Sequence, residues 1–362
     1  VSGAAVPELT VDLDALAANY ARLAEAARGA EVAPVVKADG YGVGLGPVAD
    51  RLWREGGRRF FEARIDEGVA LRQRLPGAQI YVLDGGAGAE TADLVDRDLL
   101  PVLNDLEQVD AWRAEAARRG QPLKAALQVD TGLNRLGLDA SQAQALAGAP
   151  ERLAGVAVAL VLSHLACADD PDHPMNARQA ERFAALAALF PNARTSLAAT
   201  AGIFLGPAYH GAVVRPGIGL YGAGAPGQGL SPVAILDAPI VQVREIAPGE
   251  TVGYGAGFTA AGPTRVAILG IGYADGVLRA QGGAGYGWFA GAKRPLLGRI
   301  SMDLTALDVT GCDAEPGQRV ELFGANLPVD EAAARAGTAP YELLTRIGPR
   351  VRRRYLGRGA SA

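Results

Sequence analysis

The sequence predicts an eight-fold α/β barrel followed by a smaller, mainly-β C-terminal domain. Three observations carry that prediction. Between about residue 31 and residue 215, eight short β-rich runs alternate with stretches of helical spacing, the pattern of parallel strands joined by crossover helices. At 223–231 the texture changes to AGAPGQGLS, a Gly/Pro linker by composition. Beyond it, β-patterned runs recur without long helices. An open doubly wound sheet gives much the same alternation, but eight runs within about 190 residues suit closure into a barrel.

The barrel strands are read in order at 34–37, 59–63, 79–83, 99–103, 124–129, 155–163, 195–199 and 212–215. Each is a short apolar or β-branched run bounded by turn residues. Among the intervening segments, 65–75, 106–119 and 177–190 have the clearest 3.6-residue apolar period. In the second domain, strands are read at 238–246, 265–271, 302–308 and 319–322, with turns at the Pro-Gly pairs 248–249 and 316–317. The basic tail Arg350–Arg354 suits a solvated terminal edge strand.

Composition narrows the function. The 362 residues are 49% hydrophobic and 20% charged, with net charge −4, a globular profile that argues against disorder and against a nucleic-acid coat. The longest apolar run is about half a membrane span, so no membrane partner is expected. Residues 1–10 lack the basic and apolar regions of a secretory signal. Two cysteines and three histidines supply neither a disulfide framework nor a zinc cage. A cytoplasmic location is the simplest expectation.

Barrel enzymes carry their chemistry at the carboxyl ends of the strands, which singles out specific residues. Lys37 ends the first predicted strand, where burial can turn an amine into a nucleophile and base; a surface lysine before a glycine turn explains the position equally well. His164 ends the sixth and by itself suits a core histidine. Thr200 follows the seventh, where a hydroxyl can hold phosphate or simply cap a helix. Arg215 ends the eighth, before glycines that allow close backbone approach; a Pro-Gly turn beside a solvated arginine fits too. Arg135 follows the fifth and can clamp a carboxylate, though a turn explains most of that segment.

Together these segments resemble the alanine racemase family of pyridoxal-phosphate enzymes, nearly end to end. The matching motifs, in the family's order, are VVKADGYG at 35–42, DTGLNRLG at 130–137, SHLA at 163–166, VRPGIGLYG at 214–222, GYG at 253–255, GYADG at 272–276 and SMD at 301–303. The resemblance implies a barrel over 12–228, a β domain over 229–362 that an N-terminal strand at 1–11 joins, and a homodimer with shared active sites. It implies pyridoxal 5'-phosphate as cofactor, carried by Lys37 as an imine, with Tyr41 and Leu83 beside it. Thr200, Gly217 and Ile218 would bind the phosphate, Arg215 would face the pyridine nitrogen, and His164 would bond to Arg215. Arg135 would bind the substrate carboxylate. The partner's β domain would contribute Tyr254, Tyr273, Met302 and Asp303.

The activity implied is interconversion of L- and D-alanine by two bases, Lys37 acting on the D-enantiomer's proton and Tyr254 on the L-enantiomer's. It would supply cell-wall D-alanine or feed alanine breakdown. A broader amino-acid racemase, for example acting on serine, a decarboxylase on the same barrel and a cofactor-carrying module are the other readings; the complete Tyr254 and Arg215 motifs disfavour the decarboxylase, and the second domain carrying Tyr254 disfavours the single-barrel carrier. Three departures stand out. Gln128 occupies a position where many members carry a carbamylated lysine, so Arg135 lacks that anionic partner. Pro349 aligns with a tyrosine at the pocket mouth, implying a lost phosphate contact. Ser301 stands where some relatives have cysteine.

Overall fold

The computed structural model describes residues 6–86, 88 and 90–358. Six parallel strands, Arg59–Glu62, Gln79–Val82, Leu100–Leu103, Leu123–Gln128, Val156–Leu162 and Arg194–Ser196, form one sheet in sequence order. A parallel pair, Glu31–Val32 with Val213–Val214, fills the remaining arc. Lone bridges from Val35 to Phe61 and from Ala199 to Arg215 join the pair to the sheet on either side, closing an eight-stranded barrel. Its strands bury β-branched and aromatic residues: Phe60, Phe61, Ile80, Val82, Val102, Leu127 and Val161 are all inaccessible. Near-continuous apolar runs are what a strand covered on both faces requires.

The first strand differs from the sequence expectation of 34–37. Regular pairing with Val213–Val214 stops at Val32, because Pro216 has no N–H to give the Ala33 carbonyl, and Pro34 has none to give the Arg59–Glu62 strand on the other side. Ala33 and Val35 still donate to Val214 and Pro216, but the chain then turns, so Lys37 lies just past the strand. The predicted helix at 177–190 runs instead from Pro174 to Ala187. Proline suits its first position, and the His173 ring accepts from the Met175 N–H at 3.1 Å. The other two predicted helices are observed at Ile65–Arg74 and Leu106–Arg119.

In the second domain, Ala234–Ile246, Thr264–Leu269, Thr305–Asp308, Ala292–Leu297, Tyr286–Phe289 and Arg319–Phe323 pair as an antiparallel ring. The long strand Ala234–Ile246 closes it, pairing with one neighbour over its first half and another over its second. The strand Glu8–Asp12 joins this sheet rather than the barrel, pairing with Ala234–Ile246 and with the edge strand Arg352–Leu356. The expected strand at 302–308 begins only at Thr305, because Ser301 and Leu304 close a turn. Met302 and Asp303 therefore sit at a loop tip. Two short helices, Val329–Arg335 and Pro340–Thr345, complete the domain.

Candidate active site

A cavity of about 630 Å³ opens at the carboxyl ends of the barrel strands, a size suited to a small cofactor with a small substrate. Lys37, Tyr41, Leu83, Arg135, His164, Thr200, Arg215, Gly217 and Ile218 all line it. The sequence spreads these residues over some 180 positions; closing the barrel brings them to one mouth.

Lys37 is delivered by an unusual turn. Ala38, Asp39, Gly40, Tyr41 and Gly42 all have φ between 55° and 82°, a left-handed run that costs L-residues strain. The surroundings hold it in place. Gly40 and Gly42 N–H groups donate to the Val36 and Ala38 carbonyls at 2.8 and 2.7 Å. Asp39 Oδ1 accepts from Leu45 N–H, and Glu67 Oε1 from Ala38 N–H, each at 2.7 Å. From the second domain, Arg353 donates to the Gly42 carbonyl at 2.9 Å and Tyr355 to the Val43 carbonyl at 2.9 Å. Burial lowers the Lys37 pKa, and the Arg135 charge lowers it further, which favours a free amine able to act as nucleophile or base.

Arg215 is buried at the end of the neighbouring strand. It donates to the Ser196 carbonyl at 2.9 Å, to Ser196 Oγ at 2.5 Å and to the Ser163 carbonyl at 2.6 Å. These bonds, and not one to His164, orient the guanidinium, which corrects the expected His164–Arg215 hydrogen bond. The two are linked by charge instead. Burial first, then the charges of Arg215, Arg135 and Lys37, lower His164 to about 3, so its imidazole is neutral throughout the physiological range.

Thr200 Oγ1 accepts from the N–H groups of Gly217 and Gly219 at 3.2 and 3.1 Å. With its oxygen so occupied, the hydroxyl proton is left to donate elsewhere. A Cβ on Gly217 would run into the Tyr41 hydroxyl, and one on Gly219 into Thr200. Only glycine permits this close approach of backbone to hydroxyls, and together they make a polar cradle fitted to a phosphate. A buried amine, a phosphate-sized cradle and a fixed guanidinium on one cavity wall suit a phosphorylated aldehyde.

Arg135 is exposed and makes no hydrogen bond or ion pair among the described residues. Gln128, buried below it, donates through Nε2 to the Leu136 carbonyl at 3.0 Å. The amide thus braces the loop that carries Arg135.

Tyr254, Tyr273, Met302 and Asp303 lie elsewhere. None lines this chain's cavity. They occupy neighbouring loops of the β domain, where Tyr254 is 72% exposed, Met302 53% and Tyr273 41%. The loops are built together: Tyr273 and Ala274 N–H groups donate to the Ser301 and Met302 carbonyls, each at 3.0 Å. Arg350 pairs with both Asp275 and Asp303, at 2.9 and 2.8 Å.

Several lining residues escape sequence reasoning. Arg64 and Asp84 line the cavity, as does Tyr341. The last replaces an expectation. Pro349 does not line the cavity; Tyr341 does, from the helix Pro340–Thr345, with its ring centroid 6.1 Å from that of Tyr41. An isolated Tyr after a Pro carries no spacing signal, so only the folded chain reveals it.

Comparison with known proteins agrees with this architecture. Residues 11–225 match the model for the alanine racemase N-terminal domain, and residues 233–355 match that for the C-terminal domain. The chain belongs to the alanine racemase family. That makes it an isomerase acting on amino acids. It is 48% identical to the alanine racemase of Methylobacterium sp. (strain 4-46) over 96% of this chain and 97% of that one. Agrobacterium fabrum has a biosynthetic and a catabolic alanine racemase, 46% and 42% identical over 96% and 99% of this chain and 93% and 95% of theirs. Among solved structures, the Bartonella henselae alanine racemase with covalently bound pyridoxal phosphate superposes with a TM-score of 0.93. It is 35% identical, and the match covers 97% of this chain and all of that one.

Proposed function

We propose that this chain interconverts L- and D-alanine with pyridoxal phosphate, using Lys37 and the Tyr254 of a second copy as bases on opposite faces of the substrate. The observation that carries this reading is the division of the site. Lys37 and the cradle share one cavity, while Tyr254, from a matching family motif, is exposed on another surface of the same chain. A second copy docked there would complete the site, so the working form is a homodimer.

When bound, the cofactor supplies an electron sink for the pair left on the α-carbon. The chain supplies everything else. Lys37 Nζ holds the cofactor and takes or returns the proton on the D face. Arg135 binds the substrate carboxylate; among the described residues none competes for its guanidinium. The Thr200 hydroxyl and the Ile218 N–H anchor the phosphate beside Gly217, with Tyr41 and Tyr341 packed beside it and Leu83 on the ring. The phenol oxygen of Tyr254 moves the proton on the L face. A phenol titrates at about 10, and His164, lowered to about 3, is too weak a base to hold its proton and can only accept a hydrogen bond from it. Tyr273, Met302 and Asp303 flank that phenol and restrict the space left for a substrate side chain.

Unpaired Cys167 and Cys312 suit a reducing cytoplasm. No helix of the described residues is long and apolar enough to cross a membrane. Relatives of both biosynthetic and catabolic name match the chain, so its product serves as a source of cell-wall D-alanine or its substrate as a carbon source.

Tyr254→Phe tests the reading. It should cut racemisation by about 10²-fold or more, while D-alanine still exchanges its α-proton with D₂O through Lys37. Loss of exchange on both enantiomers, or retention of full racemisation, would contradict the assignment.

A further inference from the structure

One buried side chain ties two working parts of the site together from outside it. Gln179 lies on the helix Pro174–Ala187, is inaccessible to solvent and does not line the cavity. Its amide is used at both ends. Oε1 accepts from the Ala166 N–H at 2.8 Å, and Nε2 donates to the His164 carbonyl at 2.9 Å and to Thr131 Oγ1 at 3.1 Å. The neighbours fix which end is which, since a backbone N–H only donates and a carbonyl only accepts.

The three partners belong to two segments that leave paired barrel strands. His164 and Ala166 follow the strand Val156–Leu162, and Thr131 follows Leu123–Gln128 and opens the loop that carries Arg135. Residues 175, 179 and 182 fall on one face of the helix, and all three meet that loop. Arg182 donates to the Thr131 carbonyl at 3.1 Å, and a Cβ added to Gly132 would run into Met175 Cε. Thr131 Oγ1 also bonds to Ser163 Oγ at 2.9 Å, and the Ser163 carbonyl accepts from Arg215. A chain of buried hydrogen bonds therefore runs from Gln179 to the His164 backbone, to Arg215 and to the Arg135 loop. Methionine would fill the same space. What the amide adds is direction, because its bonds fix the separation of the groups they join.

We propose that Gln179 is a positioning residue acting through Arg135 and His164, one buried amide that holds the substrate-carboxylate clamp and the L-face imidazole in register. The proposal rests on the reading that Arg135 binds the carboxylate and that His164 accepts a hydrogen bond from Tyr254 of a second copy. Without the amide, Thr131 loses one anchor of the Arg135 loop, and the His164 carbonyl loses its donor. Carboxylate binding and proton movement on the L face then weaken together.

The test compares wild type with Gln179→Met, Gln179→Leu and Thr131→Val, reading KM and the isotope effects of L- and D-alanine deuterated at the α-carbon. The enantiomers have equal free energy, so kcat/KM is the same in both directions and the isotope effects tell the two faces apart. Thr131→Val cuts the amide from the Arg135 loop but keeps its bond to His164. It should raise KM for both enantiomers by about 3- to 10-fold with the isotope effects unmoved. Gln179→Met and Gln179→Leu should raise KM similarly and also shift the balance, with a larger effect from labelled L-alanine and a smaller one from labelled D-alanine. In the cofactor-free protein, their amide exchange should quicken by about 3- to 10-fold at Ala166 and along residues 131–137, with the rest of the chain unchanged. Active Gln179 variants with unmoved KM and isotope effects, even at reduced kcat, overturn the proposal. Failure of both to fold would assign the residue to packing and overturn it as well. An error in the underlying reading gives a different result: KM would stay put in Arg135→Lys, or the isotope effects in His164→Asn.

Discussion

Arg215 carries a charge into a place that offers it no counter-charge. Its bonds go to the neutral oxygens of Ser196 and Ser163, and burial lowers its pKa to about 10. It remains charged near neutrality, because even that value lies far above the working pH. A guanidinium is a donor only, so Arg215, if it faces the pyridine nitrogen as the family resemblance implies, would leave that nitrogen unprotonated and the ring a weaker electron sink. Weak stabilisation favours prompt return of the proton to carbon over side reactions. Arg215→Glu should therefore raise the ratio of transamination to racemisation, read by pyruvate formed per D-alanine formed; an unchanged ratio would count against this role. His164 and Lys37 follow the same logic: burial, then neighbouring cations, lower both, His164 to about 3, so each gives up a proton more readily than in water.

The left-handed turn at residues 38–42 shows how an element is made to hold strain. It is braced on one side by Glu67 from the barrel and on the other by Arg353 and Tyr355 from the β domain. Gly42, with φ of 82°, lies against the helix Pro340–Thr345, where an added Cβ would meet the Leu344 carbonyl oxygen and come within 2.9 Å of Thr345 Cα. Gly42→Ala should destabilise the protein by about 1–3 kcal/mol, measured by denaturant midpoint. It should also loosen cofactor binding, since the same turn sets Lys37 and Tyr41. An unchanged midpoint would show that the turn is free to relax. This element also marks where sequence reading stops. Alternating apolar runs reveal the barrel strands, because burial on both faces dictates composition. The end of the first strand is hidden, because the missing N–H groups of Pro34 and Pro216, on its two sides, decide it. Met302 was read into a strand because the turn closing Ser301 on Leu304 depends on packing against the Tyr273 loop. Tyr341 was overlooked because its place in the cavity depends on the tertiary placement of a six-residue helix.

Across the whole molecule, the two domains are interwoven rather than strung in line. Glu8–Asp12 leaves the barrel to lie between two strands of the β domain, and the last strand returns to clamp the Lys37 turn. One end of the β domain thus fixes its own barrel's catalytic turn, while the loops bearing Tyr254, Tyr273 and Met302 face outward. The motif residues of the barrel were legible because strand ends converge by topology. The proposal that Tyr254 serves another chain is not written in any spacing; it rests on an exposed aromatic that does not line the cavity it should complete. The most direct test is to mix Lys37→Ala with Tyr254→Phe, each nearly inactive alone, under conditions that let subunits exchange. Random pairing makes half the dimers mixed, each with one intact site, so racemisation should recover to about a quarter of the wild-type rate. No recovery, with exchange verified by mass-tagged subunits, would mean that each chain completes its own site and would contradict the account.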